Sequence, residues 1–222
     1  MAKKKQLPEE VAHSEAYVKD FFDMAVPSAI RFNVDHFICG DSYRSVWAIR
    51  EYPPQTSDQA LLARFGDKEA VTIHLYTRLV DGVEQRKILQ NASRKNKMLA
   101  SSNDLEDSVT GEGNLGDVVE LLGELRKNRE PLLHCAVFIE LSAGNLDKLR
   151  ELQSDVSMEM TREKISVDHL SMRQKEGFIA CMPCGYNIFG TQYERVLPAS
   201  AVANLFPFNY SGKTDKNGFY LG

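Results

Sequence analysis

The stretch Leu132-Leu-His-Cys-Ala-Val-Phe-Ile-Glu-Leu141 is apolar at every second position, with Leu133, Cys135, Val137, Ile139 and Leu141 on one side. Successive side chains of a strand point to opposite faces, so this spacing predicts a strand with one wholly apolar face. The other face is only partly polar. A strand of this kind lies at the centre of a sheet and is covered on both sides. The rest of the chain is therefore expected to supply flanking strands and covering helices.

Downstream, Gly144-Asn145 reads as a turn and N-cap for a helix that carries Leu146, Leu149, Leu152 and Val156. Ile165 to Val167 has the composition of a short strand. Ser171 to Met182 reads as a helix that Pro183 ends. Upstream, Val118, Leu121, Leu122 and Leu125 repeat at the spacing of a core-facing helix. The polar, acidic segment 101–114 before them reads as a loop. Gly82 to Ser102 is expected to be helical, with Leu89, Ala92, Asn96 and Leu99 along one side. Val71, Ile73, Leu75 and Leu79 alternate as in a half-buried strand.

Nearer the start, Ser57 is placed to cap a short helix holding Leu61, Leu62 and Phe65, with Gly66 as its stop. Phe32 to Ile38 reads as a strand, and Gly40-Asp41 turns into a second strand over Tyr43 to Glu51, broken by Pro53-Pro54. Pro8-Glu9-Glu10 opens a helix with Val11, Tyr17, Val18, Phe21 and Phe22 on one face, and Pro27 ends it. Residues 1–7 form a basic tail. The fold class expected is α/β (α+β): a mixed sheet with helices packed on it, in an order that fits two ferredoxin-like βαβ halves.

The 222 residues are 43% hydrophobic and 26% charged, which favours a globular fold over disorder. A net charge of −4 provides no global basic field for nucleic acid or an anionic membrane. No apolar run approaches the roughly 20 residues that span a bilayer. Met1-Ala-Lys-Lys-Lys is not followed by the apolar core of a signal peptide. The expected compartment is cytoplasmic, with Cys39, Cys135, Cys181 and Cys184 reduced.

Several motifs invite a catalytic reading. Ser211-Gly212-Lys213-Thr214 ends like a P-loop, but a full motif needs glycine where Pro207 stands and a helix where Asp215 to Gly218 turns. Cys181-Met-Pro-Cys184 has redox spacing, yet it falls at the end of a predicted helix, where the dipole does not favour a thiolate. It is read as packing cysteine. His134 and Cys135 are adjacent in a strand and face opposite ways, so they form no dyad; a hydrogen-bonded structural role is expected for His134. Arg86, Lys87, Arg94, Lys95 and Lys97 could track phosphates, although the run lacks the aromatic platforms of single-strand binders.

From Gln174-Lys-Glu-Gly-Phe to Pro183, through Arg195-Val-Leu-Pro and Leu205-Phe-Pro-Phe-Asn209, to Asn217-Gly-Phe-Tyr-Leu-Gly222, the chain carries an ordered series of landmarks. The series resembles the N-terminal domain of conjugative-transfer and type IV secretion ATPases of the CagE/TrbE/TraE type. The resemblance implies an α/β N-terminal domain over residues 8–196 and a connector over 197–222 leading toward an ATPase domain that follows. Leu197, Pro198, Phe206, Pro207, Phe208, Gly218, Tyr220 and Gly222 are the connector residues it implies, with Phe219 to Leu221 paired to a sheet edge or poorly ordered. ATP and magnesium belong to that following domain, so no catalytic residue, cofactor or metal is expected in this chain. The partners implied are inner-membrane components of a secretion or conjugation channel, at the cytoplasmic face of the membrane, and the protein's own ATPase domain. Homo-oligomerisation stays open, and direct DNA contact is not implied. Two other readings stand beside it: a nucleic-acid-binding module using residues 86–97, and a free-standing cytosolic enzyme using Cys181 or His134.

Overall fold

The structure, a computed structural model, describes residues 29–53, 60–66, 68, 70–100, 123, 130–183 and 185–205. The helices expected over 8–27 and 118–125, the Ser57 cap, the 101–114 loop, the Ser211–Thr214 motif and the connector from Phe206 to Gly222 lie outside them.

The stretch that begins at Leu132 is β5, Leu132–Ala143, and it is the centre of the sheet. On one edge it pairs along its length with β4, Val71–Leu79. Its other edge is shared. Residues 138–143 pair with β3, Ser42–Glu51, and residues 132–135 pair with β7, Arg195–Pro198. β3 divides its far edge in the same way, between β2, Phe37–Cys39, and β6, Ser166–Asp168. β1, Ile30–Phe32, pairs with β2, and the described strands form one seven-stranded sheet.

The sheet was expected to be mixed, and every neighbouring pair among the described strands is antiparallel. Parallel direction appears only between second neighbours, and it marks the two halves. β3 and β4 run parallel with β5 between them, joined through α1, Ala63–Gly66. β5 and β6 run parallel with β3 between them, joined through α3, Leu146–Arg162. The resulting order, β6-β3-β5-β4, is that of two interleaved split βαβ units. α2, Gly82–Ala100, follows β4.

Both faces of β5 are covered. Cys135, Val137, Ile139 and Leu141 pack with Trp47 and Ile49 of β3 beneath Leu62 and Phe65 of the α1 region and Leu149, Val156 and Met160 of α3. On the reverse face, Ala136 and Phe138 pack with Val46 and Ala48 against Ala180 and Cys181 of α4, Gln174–Cys181, and against Phe189 and Tyr193. Asn145 caps α3 as its sequence implied: its backbone is extended and its Oδ1 accepts from the Lys148 amide at 2.8 Å.

Two local expectations are corrected. Phe32 to Ile38 is not one strand but a tight hairpin of β1 and β2. The Asn33 amide donates to the His36 carbonyl at 2.9 Å, so polar turn formers interrupt the apolar alternation. The helix expected from Ser171 begins only at Gln174, because Leu170 and Met172 take left-handed backbone angles (φ 50° and 63°) that a right-handed helix cannot continue. Its end is where Pro183 requires it: Met182 is extended, the conformation proline imposes on its predecessor.

α4 lies very close to β3. A Cβ added at Gly177 would stand 2.9 Å from the Val46 Cβ, so only glycine permits this approach. Gln174, buried at 1% exposure, closes the gap that β2 and β6 leave along the β3 edge. Its Oε1 accepts from the Val46 amide at 2.9 Å, and its Nε2 donates to the Val46 carbonyl at 3.0 Å and to the His169 carbonyl at 2.8 Å. A single side-chain amide thus replaces a strand partner.

At the other end of the hairpin turn, Asp35 lies 2.7 Å from His36 Nδ1 and accepts from Arg150 of α3 at 2.5 Å. Burial alone would raise the Asp35 pKa, but His36 and Arg150 outweigh it and hold the carboxyl below its ordinary 3.8. A carboxylate with a depressed folded-state pKa stabilises above its unfolded value and loses that contribution as pH falls through the folded one. Asp35→Asn is expected to cost no more than about 1 kcal/mol at neutral pH, because the pair is partly solvated. In urea titrations across pH, the gap from wild type should close only below 3.8.

Candidate functional site

Two features stand out beyond the core: the exit of the chain through β7, and a polar row on the α4 side of β5. At the exit, Leu197 and Pro198, the first two residues expected in a connector, are strand residues paired with Leu133 and Leu132. The Ala199 amide then donates to the Pro131 carbonyl at 3.1 Å, and the Ser200 amide to the Glu130 carboxylate. α5, Ala199–Ala203, leads to Asn204, whose carbonyl accepts from the Leu61 amide at 2.8 Å. Leu205 is 1% exposed and belongs to the core under α1 and α3, with Leu197 and Val202 packed against the same cluster. The stretch through Leu205 is therefore fastened to the sheet. The other connector residues, Phe206, Pro207, Phe208, Gly218, Tyr220 and Gly222, lie outside the described residues.

The polar row is set by strand parity. His134 and Glu140 share the face of β5 opposite Cys135, with cross-strand neighbours from β4 beside them. His134 is 7% exposed; its Nε2 is 3.0 Å from Glu84 of α2 and its Nδ1 is 3.5 Å from Glu194. Glu194 is in turn paired with Arg78 at 3.0 Å. His134 is thus the hydrogen-bonded histidine its position predicted, clamped between two acids.

At the other end of the row, Glu140 Oε1 accepts from Arg44 Nη1 at 2.9 Å, and Oε2 lies 3.7 Å from His74 Nε2. Burial tends to raise the Glu140 pKa, but His74 and Arg44 outweigh it and keep the carboxyl below its ordinary value. Cys181, the last residue of α4, completes the group: one donor atom each from His74, Glu140 and Cys181 lie within 4.8 Å of one another. Burial, reinforced by the Glu140 charge, pushes the Cys181 thiol far above its usual range. A nucleophilic cysteine needs the opposite shift. The geometry does not bring Cys181 and His134 together in one site, since they attend opposite ends of the row.

Sequence reading did not single out Arg44, His74 or Glu140. The available signal was Glu140 itself, a carboxylate within a mostly apolar central strand. Such a group requires partners, but the identity of those partners depends on strand register. The cations of the basic run, Arg86, Lys87, Arg94, Lys95 and Lys97, are all exposed on α2, while Leu89, Ala92 and Asn96 are half-buried on its inner side, as expected. Among the described residues, no helix is long and apolar enough to cross a membrane.

Compared with protein-family models and with curated protein sequences, the chain matches none.

Proposed function

We propose that this chain is a non-catalytic N-terminal domain of a conjugation or type IV secretion ATPase. In this reading it docks the motor to the inner-membrane translocation channel at the cytoplasmic face and packs against its own ATPase domain. The observation that carries the reading is the landmark series from Gln174 to Gly222, several of whose members have defined structural work. Gln174 and Gly177 seat α4 on β3, Pro183 follows the end of α4, and Arg195–Pro198 forms β7. Leu205 is buried beneath α1 and α3. A chain fastened to the sheet as far as Leu205 would give a following domain a fixed point of departure.

ATP and magnesium would act in that following domain, not here. The direct test is a nucleotide titration of the 222-residue chain. No saturable ATP binding and no turnover are expected; micromolar affinity with measurable hydrolysis would defeat the proposal. A second reading has one observation in its favour, the exposure of the five cations on α2. Salt-dependent DNA binding that disappears when those residues are neutralised would support it over docking.

A further inference from the structure

We propose that His74, Glu140 and Cys181 form a binding site for a zinc-like divalent transition-metal ion. The three side chains come from β4 at the edge of the described sheet, from the central strand and from the end of a helix, separate in sequence, and their donor atoms converge to within 4.8 Å. A nitrogen, an oxygen and a sulfur donor together form a set of intermediate softness, which suits zinc better than magnesium or calcium.

The orphaned atom supports this assignment. His74 Nε2 is shielded from solvent and has no hydrogen-bond partner among the described residues, because Glu140 Oε2 at 3.7 Å is beyond reach. Buried ring nitrogens normally have a partner, and a metal ion would supply one. Glu140 is also oriented for the role: Arg44 holds Oε1, so Oε2 remains directed toward His74. An outer hydrogen bond of this kind fixes a carboxylate ligand in place.

The spacing fits with modest movement. Zinc bonds of about 2.0–2.3 Å place tetrahedral donors about 3.3–3.8 Å apart. The His74–Glu140 pair already stands at 3.7 Å. The Cys181 sulfur, within 4.8 Å of both other donors, needs to approach by no more than roughly an ångström to reach that spacing. Binding replaces the thiol proton by the metal and releases it to solvent, so the Cys181 S–H bond breaks as the S–metal bond forms. The Glu140 carboxylate and the Cys181 thiolate then balance the dication, while Arg44 remains as an outer cation. The ion would tie β4, β5 and the end of α4 together, a role that the sequence-based expectation of a metal-free chain did not include. The inference stands apart from the docking proposal.

The experiment is a cobalt titration of the metal-stripped 222-residue chain. One equivalent of cobalt should produce a thiolate-to-cobalt charge-transfer band in the near ultraviolet, which zinc abolishes by displacement. Cys181→Ser should remove the band, while Cys39→Ser and Cys184→Ser keep it. His74→Gln should weaken cobalt binding by at least about tenfold, since even outer-shell changes cost that much. Circular dichroism tracks the fold of each variant. As an independent readout at a half-buried edge position, zinc should raise the Tm of wild type and not of His74→Gln. Absence of the band, its survival in Cys181→Ser, or an equal zinc-induced Tm rise in His74→Gln would overturn the site.

Discussion

Gln174→Ala should destabilise the protein by about 2–6 kcal/mol, because it strands two buried backbone groups, each worth about 1–3 kcal/mol when left unpaired. The Val46 amide and carbonyl lie in the interval of the β3 edge that neither β2 nor β6 covers, and the Gln174 carboxamide satisfies both. Water cannot replace it easily, since Val46 is fully buried and Gln174 is 1% exposed. Gln174→Glu should recover only part of the loss: a carboxylate can accept from the amide but cannot donate to the carbonyl. Gln192→Ala, which removes an exposed side chain bonded to Arg173, should stay within about 0.5 kcal/mol. Urea denaturation with an unchanged m-value measures the difference. A Gln174→Ala loss below about 1 kcal/mol would show that the β3 edge is satisfied in another way.

Leu205→Ala is the second large effect, at about 2–5 kcal/mol, the range for truncating a buried leucine. Leu205 enters the core shared by Trp47, Leu62, Phe65 and Leu149, a close-packed cluster of strand and helix residues with little freedom to collapse into a void. Val202→Ala, at a half-buried neighbour of the same cluster, should cost clearly less. The comparison matters for function. If Leu205→Ala were nearly neutral, burial would not fasten the stretch from β7 to Leu205, and a following domain would have no fixed point of departure there.

The contrast between these two residues shows what local pattern can convey. Leu205 sits in an apolar run that any reading marks for burial. Gln174, by contrast, looks like an ordinary polar residue at a helix start. Its role exists only because β2 and β6 end where they do. Glu140 and His74 are similar: each was visible as a residue type, while their proximity to Cys181 required the register of β4 against β5 and the closing of α4 on the same face. The β1–β2 hairpin was misread for a related reason, since two three-residue strands and one alternating strand look alike until the Asn33 turn is seen to reverse the chain.

Alternation in Leu132–Leu141 was enough to predict a central strand covered on both faces, because period-two burial is a local consequence of backbone pleating. The caps and stops at Asn145 and Pro183 were local for the same reason: each acts on its own or adjacent residues. The order of the elements already carried the two βαβ halves. Strand neighbours, the shared edges of β3 and β5, and the meeting of His74, Glu140 and Cys181 were settled by folding. They depend on pairing between residues far apart in the chain, and the free energy of those pairings comes from burial and hydrogen bonding that no single segment contains.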